Sequence, residues 1–145
     1  MRGEGKSFSA GGDISEFKTI FSTPHSSQDF STSINKAFNA LMHFPRPTIA
    51  MIEGGAVGGG CGLALACDIR IASENAFLAV TPAKLGIVYP YSEIKRLVTT
   101  VGLSKAKDML FSARIIKADE AEKLGILDHI FSTKELEAKT LEYAA

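Results

Sequence analysis

Between Ser26 and Phe44 the apolar positions fall at helical spacing. Phe30, Ile34, Phe38, Leu41 and Met42 share one side, while Asn35, Lys36 and Asn39 lie opposite. This pattern predicts an amphipathic helix that Pro45-Arg46-Pro47 ends. Thr48–Ile52 is a short apolar run between proline and glycine, the mark of a buried strand. Gly54–Gly60 is expected as a glycine-rich turn and Cys61–Ala66 as a tightly packed small-residue helix. Asp68–Ala72 and Ala76–Val80 are two further strand candidates. Helices are expected at Ser92–Thr100, Ser104–Phe111 and Ala118–Leu124, the last capped by Gly125. Ile126–Phe131 is read as a final strand, after which Ser132 and Glu135 form a capping box that opens a last helix. Alternating strands and helices imply an α/β fold with a largely parallel sheet in one domain over residues 1–145, without internal repeat or linker.

The opening is less regular. Gly3, Gly5 and Ser7 lead into Phe8-Ser9-Ala10-Gly11-Gly12-Asp13, a turn-rich segment with no strand or helix before it. Domains rarely open on a bare loop, so the chain is expected to begin inside a fold. The 16 Lys+Arg residues balance 16 Asp+Glu, which argues against a dedicated nucleic-acid binder. The longest uncharged stretch, Gly54–Cys67, falls short of the roughly 18–20 apolar residues of a membrane span. Nothing after Met1 resembles a secretory apolar run, and two cysteines make a poor disulfide framework. A soluble protein of the cytoplasm or an organelle matrix is the expectation.

Few residues offer chemistry of their own. His25, His43 and His129 lie far apart, with none at metal-ligand spacing to another or to a cysteine, and Cys61 and Cys67 are read as packing residues. Neither G-x-S-x-G, G-x-x-x-x-G-K-[ST] nor G-x-G-x-x-G occurs, so hydrolase elbows and phosphate loops are unsupported. Two glycine segments remain. Ala10-Gly11-Gly12 precedes what reads as a helix start at Asp13-Ile14-Ser15-Glu16-Phe17, and Gly58-Gly59-Gly60 opens the small-residue helix. Glycine admits a ligand close to the backbone, and helix N-termini present unpaired N–H groups. Two such turns converging on one oxygen would make an oxyanion hole. The plainer alternative is two tight turns that need only a pliant backbone.

Phe8-Ser9-Ala10-Gly11-Gly12-Asp13-Ile14, followed by the run from Pro47 through Ile49-Ala50-Met51-Ile52-Glu53-Gly54-Gly55-Ala56-Val57-Gly58-Gly59-Gly60-Cys61-Gly62 to Ala72, resembles the enoyl-CoA hydratase/isomerase (crotonase) superfamily. Pro82–Ile87 and Ala118–Asp128 continue the pattern. The resemblance implies a ClpP/crotonase-like spiral of ββα units, incomplete at both ends because family members are longer. It implies that the Ala10 and Gly59 N–H groups hold an acyl-CoA thioester carbonyl and that Ala10, Gly11, Gly12, Asp13 and Gly59 lie along the CoA. Asp13 is expected as a structural cap. No separate cofactor is implied, since CoA arrives as part of the substrate, and the full-length parent is expected to form a homo-oligomer, a trimer or hexamer. Fatty acid metabolism is the implied setting.

The sequence departs from the family where proton transfer is concerned. The two glutamates of family hydratases are replaced by Gly62 and Pro82. The stretch Thr81–Tyr89 is similar to that of methylmalonyl-CoA decarboxylase-like members, which implies Tyr89 as a hydrogen-bond or proton donor to the acyl group; the alternative is a tyrosine that only lines the pocket. The decarboxylase members keep a glutamate at the Gly62 position, so this match is partial. Glu93 and Glu16 are weaker candidates to replace these glutamates and are read first as solvated helix-end charges, and Lys84 is read as a surface charge with a CoA phosphate as its alternative partner. Hydration, isomerisation and decarboxylation stay open, beside a weakly catalytic acyl-CoA-binding homologue and a nucleotide-binding α/β domain.

Overall fold

A computed structural model describes residues Met1–Ala145. After a single 3-10 turn at Ile14–Glu16 come α1 (Phe17–Ile20) and α2 (Pro24–Met42). Thr23 starts α2 by accepting the Ser26 N–H at 3.1 Å, with Pro24 in the first helical position. The chain then forms β1 (Ile49–Ile52), β2 (Gly55–Val57) and α3 (Gly59–Ala66), followed by β3 (Ile69–Ser73), β4 (Phe77–Ala79) and α4 (Pro82–Leu85). Next are α5 (Tyr91–Val101), α6 (Leu103–Ser112), β5 (Ile115–Lys117) and α7 (Ala118–Lys123), and last β6 (His129–Phe131) and α8 (Leu136–Ala144).

The strands form two sheets, not the single one expected. β1, β3 and β6 pair in parallel, and β2 and β4 pair in parallel with β5 antiparallel to β4. Consecutive strands go to different sheets before each return helix: β1 to the first, β2 to the second, then α3; β3 to the first, β4 to the second, then α4. That succession is a spiral of ββα units. Ala50, Ile52, Ile71 and Ala72 of the first sheet and Ala56 and Leu78 of the second are fully buried. Their small or branched side chains let the layers approach closely.

Several expectations need correction. Gly54–Gly60 is no simple turn, because β2 lies inside it and α3 begins at Gly59. The opening segment is no bare loop either: Met1 O accepts the Met51 N–H, and Ser9 bridges to Ala56. The strand expected from Ile126 begins only at His129, because the Ile126 and Leu127 N–H groups turn back to Ala121 O. Ser132 Oγ donates to Glu135 Oε2 at 2.5 Å, so that pair forms a side-chain link ahead of α8 rather than a reciprocal capping box.

Candidate active site

The first helix of the spiral begins under unusual constraint. Gly58 adopts φ 56° and ψ −121°, a conformation closed to ordinary L residues, and donates its N–H to Ala79 O at 2.9 Å. This turns the chain from β2 into α3. The Ala10–Asp13 loop lies against it. A Cβ at Gly11, where φ is +89°, would come within 2.8 Å of the Gly59 nitrogen and 3.1 Å of Val57 O. A Cβ at Gly60 would collide with Ser9 O. The two glycine segments anticipated from sequence therefore touch, and glycine is what lets them.

The N–H groups of Ala10 and Gly59 donate to no backbone oxygen, whereas neighbouring Gly11 donates to Ser9 Oγ at 3.2 Å and Gly62 to Gly58 O at 3.1 Å. Gly59 is the first residue of α3, where an N–H has no partner within the helix. Ala10, Gly11, Gly12 and Asp13 are all exposed, so this side is open to a ligand. Asp13 caps the 3-10 turn through Ser15, whose N–H and Oγ it accepts at 2.9 and 2.7 Å; these bonds hold its carboxyl below the usual range.

Behind the turn is a polar cluster among apolar walls. The Tyr89 hydroxyl is buried without a hydrogen bond and lies 3.8 Å from where a Cβ on Gly58 would be. Burial first, then the Glu93 and Cys61 charges, raise its pKa, with the nearby Thr81 backbone opposing them. Tyr89 thus keeps its proton and can donate a hydrogen bond. Burial, reinforced by Glu93, also pushes the Cys61 thiol up to about 12, consistent with a packing role. Lys84 is exposed on α4, and Pro82 is buried there.

Glu93 corrects the sequence reading. It stands in the first turn of α5, as a helix-end acid would, yet only 8% of its surface is exposed. The signal was present: Glu93 is one helical turn before Leu97, which is 2% exposed and part of the core, so both lie on the inward face. Burial raises its carboxyl pKa, and Arg96 partly opposes the shift. Arg96 is not tied to it, however: no ion pair forms within 4 Å, Arg96 Nε and Nη1 lack partners, and the guanidinium sits 5.0 Å from the Phe38 ring centroid. Glu16, by contrast, is exposed as expected.

A larger cavity of about 250 Å³ lies elsewhere, lined by Arg2, Met51, Glu53, Lys134 and Glu137 among others. It contains neither glycine turn, and two of its lining residues, Arg2 and Glu137, pair with each other at 2.7 Å. A small cavity lined by Tyr89, Cys61 and Gly62 lies instead along α3, the helix that the Gly58 turn opens. No group of histidines, cysteines and acids could hold a metal ion, and no helix is long and apolar enough to cross a membrane.

The comparisons agree in sequence and in fold. The enoyl-CoA hydratase/isomerase family model matches residues 1–145. A short-chain-enoyl-CoA hydratase of Clostridium acetobutylicum is 41% identical over 131 residues, covering 90% of this chain and 49% of its own. The mitochondrial methylglutaconyl-CoA hydratase of Mus musculus is 39% identical over 125 residues, covering 85% and 38%. A crystal structure of an enoyl-CoA hydratase/isomerase family protein from Hyphomonas neptunium superposes with a TM-score of 0.93 at 42% identity, covering 98% of this chain and 54% of that one. The chain thus spans about half or less of the length of the relatives it matches. With a crotonase-type α/β spiral and a family match along its whole length, this chain belongs to the enoyl-CoA hydratase/isomerase family.

Proposed function

We propose that this protein processes acyl-CoA thioesters, using the Ala10 and Gly59 N–H groups to stabilise the enolate oxygen that forms at the thioester carbonyl. The observation that carries this reading is the contact of the two glycine segments, with a Cβ at Gly11 only 2.8 Å from the Gly59 nitrogen and both N–H groups unspent. The enoyl-CoA hydratases among its relatives support the substrate class. In the bound state the thioester oxygen sits against the start of α3, where the helix dipole adds to the two donors. The Ala10–Asp13 loop lies along the CoA, Tyr89 donates a hydrogen bond towards the acyl group, and CoA enters only as part of the substrate. Hydration, double-bond shift and decarboxylation all pass through such an enolate, so this oxygen site serves each of them. Fatty acid metabolism in the cytoplasm or an organelle matrix, and a trimeric or hexameric parent, belong to the same proposal.

The second reading is a homologue that binds acyl-CoA with little turnover. It is favoured by Gly62 and Pro82, whose side chains cannot carry a proton. A pooled set of acyl-CoA thioesters incubated with the protein in heavy water separates the two. Water gain, carbon dioxide loss or deuterium uptake at the α-carbon supports the enzyme. An unchanged pool whose members still protect the fold against heat supports the binder.

A further inference from the structure

A carboxyl group taken out of water is normally paired or hydrogen-bonded, because leaving it alone costs several kcal/mol. Glu93 is more than nine-tenths buried as a residue and takes part in no side-chain hydrogen bond or ion pair, but its carboxylate oxygens, unlike the Tyr89 hydroxyl, are not sealed from solvent. Its position is defined by two elements. α5 points it inward beside Leu97, and α3 makes room for it at Gly62, where a Cβ would lie 2.9 Å from Glu93 Oε2 and 3.1 Å from Phe38 Cζ. Gly62 is three residues, about 4.5 Å of helix rise, beyond Gly59. The carboxylate therefore flanks the first turn of α3, whose leading N–H is one of the two unspent donors.

Tyr89 flanks the same turn at Gly58, and both side chains line a cavity of about 10 Å³ with Cys61, Leu65, Val80, Arg96 and Leu97. The titratable groups facing Glu93 are thus Cys61 from α3, Tyr89 from the loop before α5 and Arg96 from its own helix; no other acid, lysine or histidine lines this space. A closed Glu93–Arg96 ion pair would have made the site structural, but that pair is not formed.

Building on the acyl-CoA reading above, we propose that Glu93 is the catalytic proton carrier of the acyl site, reaching from α5 the space that Gly62 leaves open on α3. In the step it performs, the carboxylate takes a proton from the acyl α-carbon. The C–H electron pair becomes the Cα–C1 π bond, and the carbonyl π pair moves to the thioester oxygen at the Ala10 and Gly59 N–H groups. Return of the proton from Glu93 reverses each movement, so no oxidant or further reactant is needed. Burial strengthens the hold of Glu93 on a proton and brings its basicity closer to what abstraction from carbon requires.

The test follows α-hydrogen exchange of butyryl-CoA in heavy water by mass spectrometry, with binding of the same thioester read from thermal protection. Glu93→Gln is expected to lower exchange by about 10²-fold or more while binding changes less than about threefold, and Glu93→Asp should keep an intermediate rate. The wild-type rate should rise with pH through the Glu93 titration, and the Gln variant should lose that limb. Exchange by Glu93→Gln at the wild-type rate, wild-type binding without exchange, or joint loss of binding and exchange in both variants would each overturn the assignment. If Gly59→Pro leaves exchange intact while Glu93→Gln removes it, the oxyanion reading fails and the Glu93 proposal stands. If butyryl-CoA does not bind at all, both fail.

Discussion

Arg70 and Glu93 are both charged residues drawn into the interior, and their surroundings could hardly differ more. Arg70, on β3, finds a partner for each of its three guanidinium nitrogens. Nε donates to Ile126 O at 2.5 Å, Nη1 to Cys67 O at 2.8 Å, and Nη2 pairs with Asp128 Oδ2 at 3.0 Å. Asp128 also accepts the Arg70 backbone N–H at 2.8 Å. This network ties β3 to the segment leading into β6. Glu93 has no such partner, and around it the Tyr89 hydroxyl and Arg96 Nε and Nη1 are unpartnered too, with Arg96 Nη2 donating only to Met42 Sδ at 3.2 Å. The contrast separates charges that hold the fold from charges the fold holds ready. A satisfied network stabilises, whereas unsatisfied buried polar groups cost stability and are kept where a ligand will meet them.

The largest effect expected from this comparison is on stability. Arg70→Ala takes the cation from Asp128, which keeps only the backbone N–H, and leaves two carbonyls without their donors; it should cost roughly 3–5 kcal/mol in urea unfolding. A loss no greater than that from Arg114→Ala would erase the distinction. Gly59→Pro comes next. Proline suits the first position of a helix, and a Cβ there meets Gly11 Cα at an ordinary 3.4 Å. The variant should fold but lose about 10²–10³-fold in turnover through the missing donor.

Gly62→Ala sharpens the picture from the other side. Its methyl must displace either the Glu93 carboxylate or the Phe38 ring, so exchange should fall by about tenfold with acyl-CoA binding kept. Unchanged exchange would mean that the carboxylate position does not matter. A further prediction concerns pH. Because the folded Glu93 binds its proton more tightly than an unfolded glutamate with a pKa near 4.3, the folded state holds the extra proton between the two values. Stability from this residue therefore falls as pH rises from about 4 through the folded pKa, and the cost is full above it. Glu93→Gln should raise the Tm relative to wild type at pH 8 and lose that advantage near pH 4; equal differences at both pH values would contradict it. The smallest effect belongs to Arg114→Ala. Arg114 bridges Asp108 and Glu120 at the surface, where water and salt screen the pairs, so the Tm should move little, and less still at high salt.

Much of this molecule could be read along the chain. The helical spacing over Ser26–Phe44 and its proline stop correspond to α2, and the helices around Ser92–Thr100, Ser104–Phe111 and Ala118–Leu124 are present as α5, α6 and α7. Gly125, at φ +73°, closes the last of these as expected. The missed elements are short ones held by distant partners. β2 has three residues, two of them small, and exists because Ser9 pairs on one side and β4 on the other. β5 follows the left-handed residue Ala113, which reverses the chain after α6 so that Ile115–Lys117 can run antiparallel to β4. Three residues are too few to show the period of a strand.

The sequence by itself determined the α/β alternation, the two glycine turns and the absence of an ionisable side chain at positions 62 and 82, because these depend on residue type and local spacing. Only the tertiary structure decided that the two turns touch and that Glu93 faces inward beside Gly62. Burial and pairing are set by what other elements bring alongside a residue. A glutamate in the first turn of a helix looks the same along the chain whether α3 lies over it or water does.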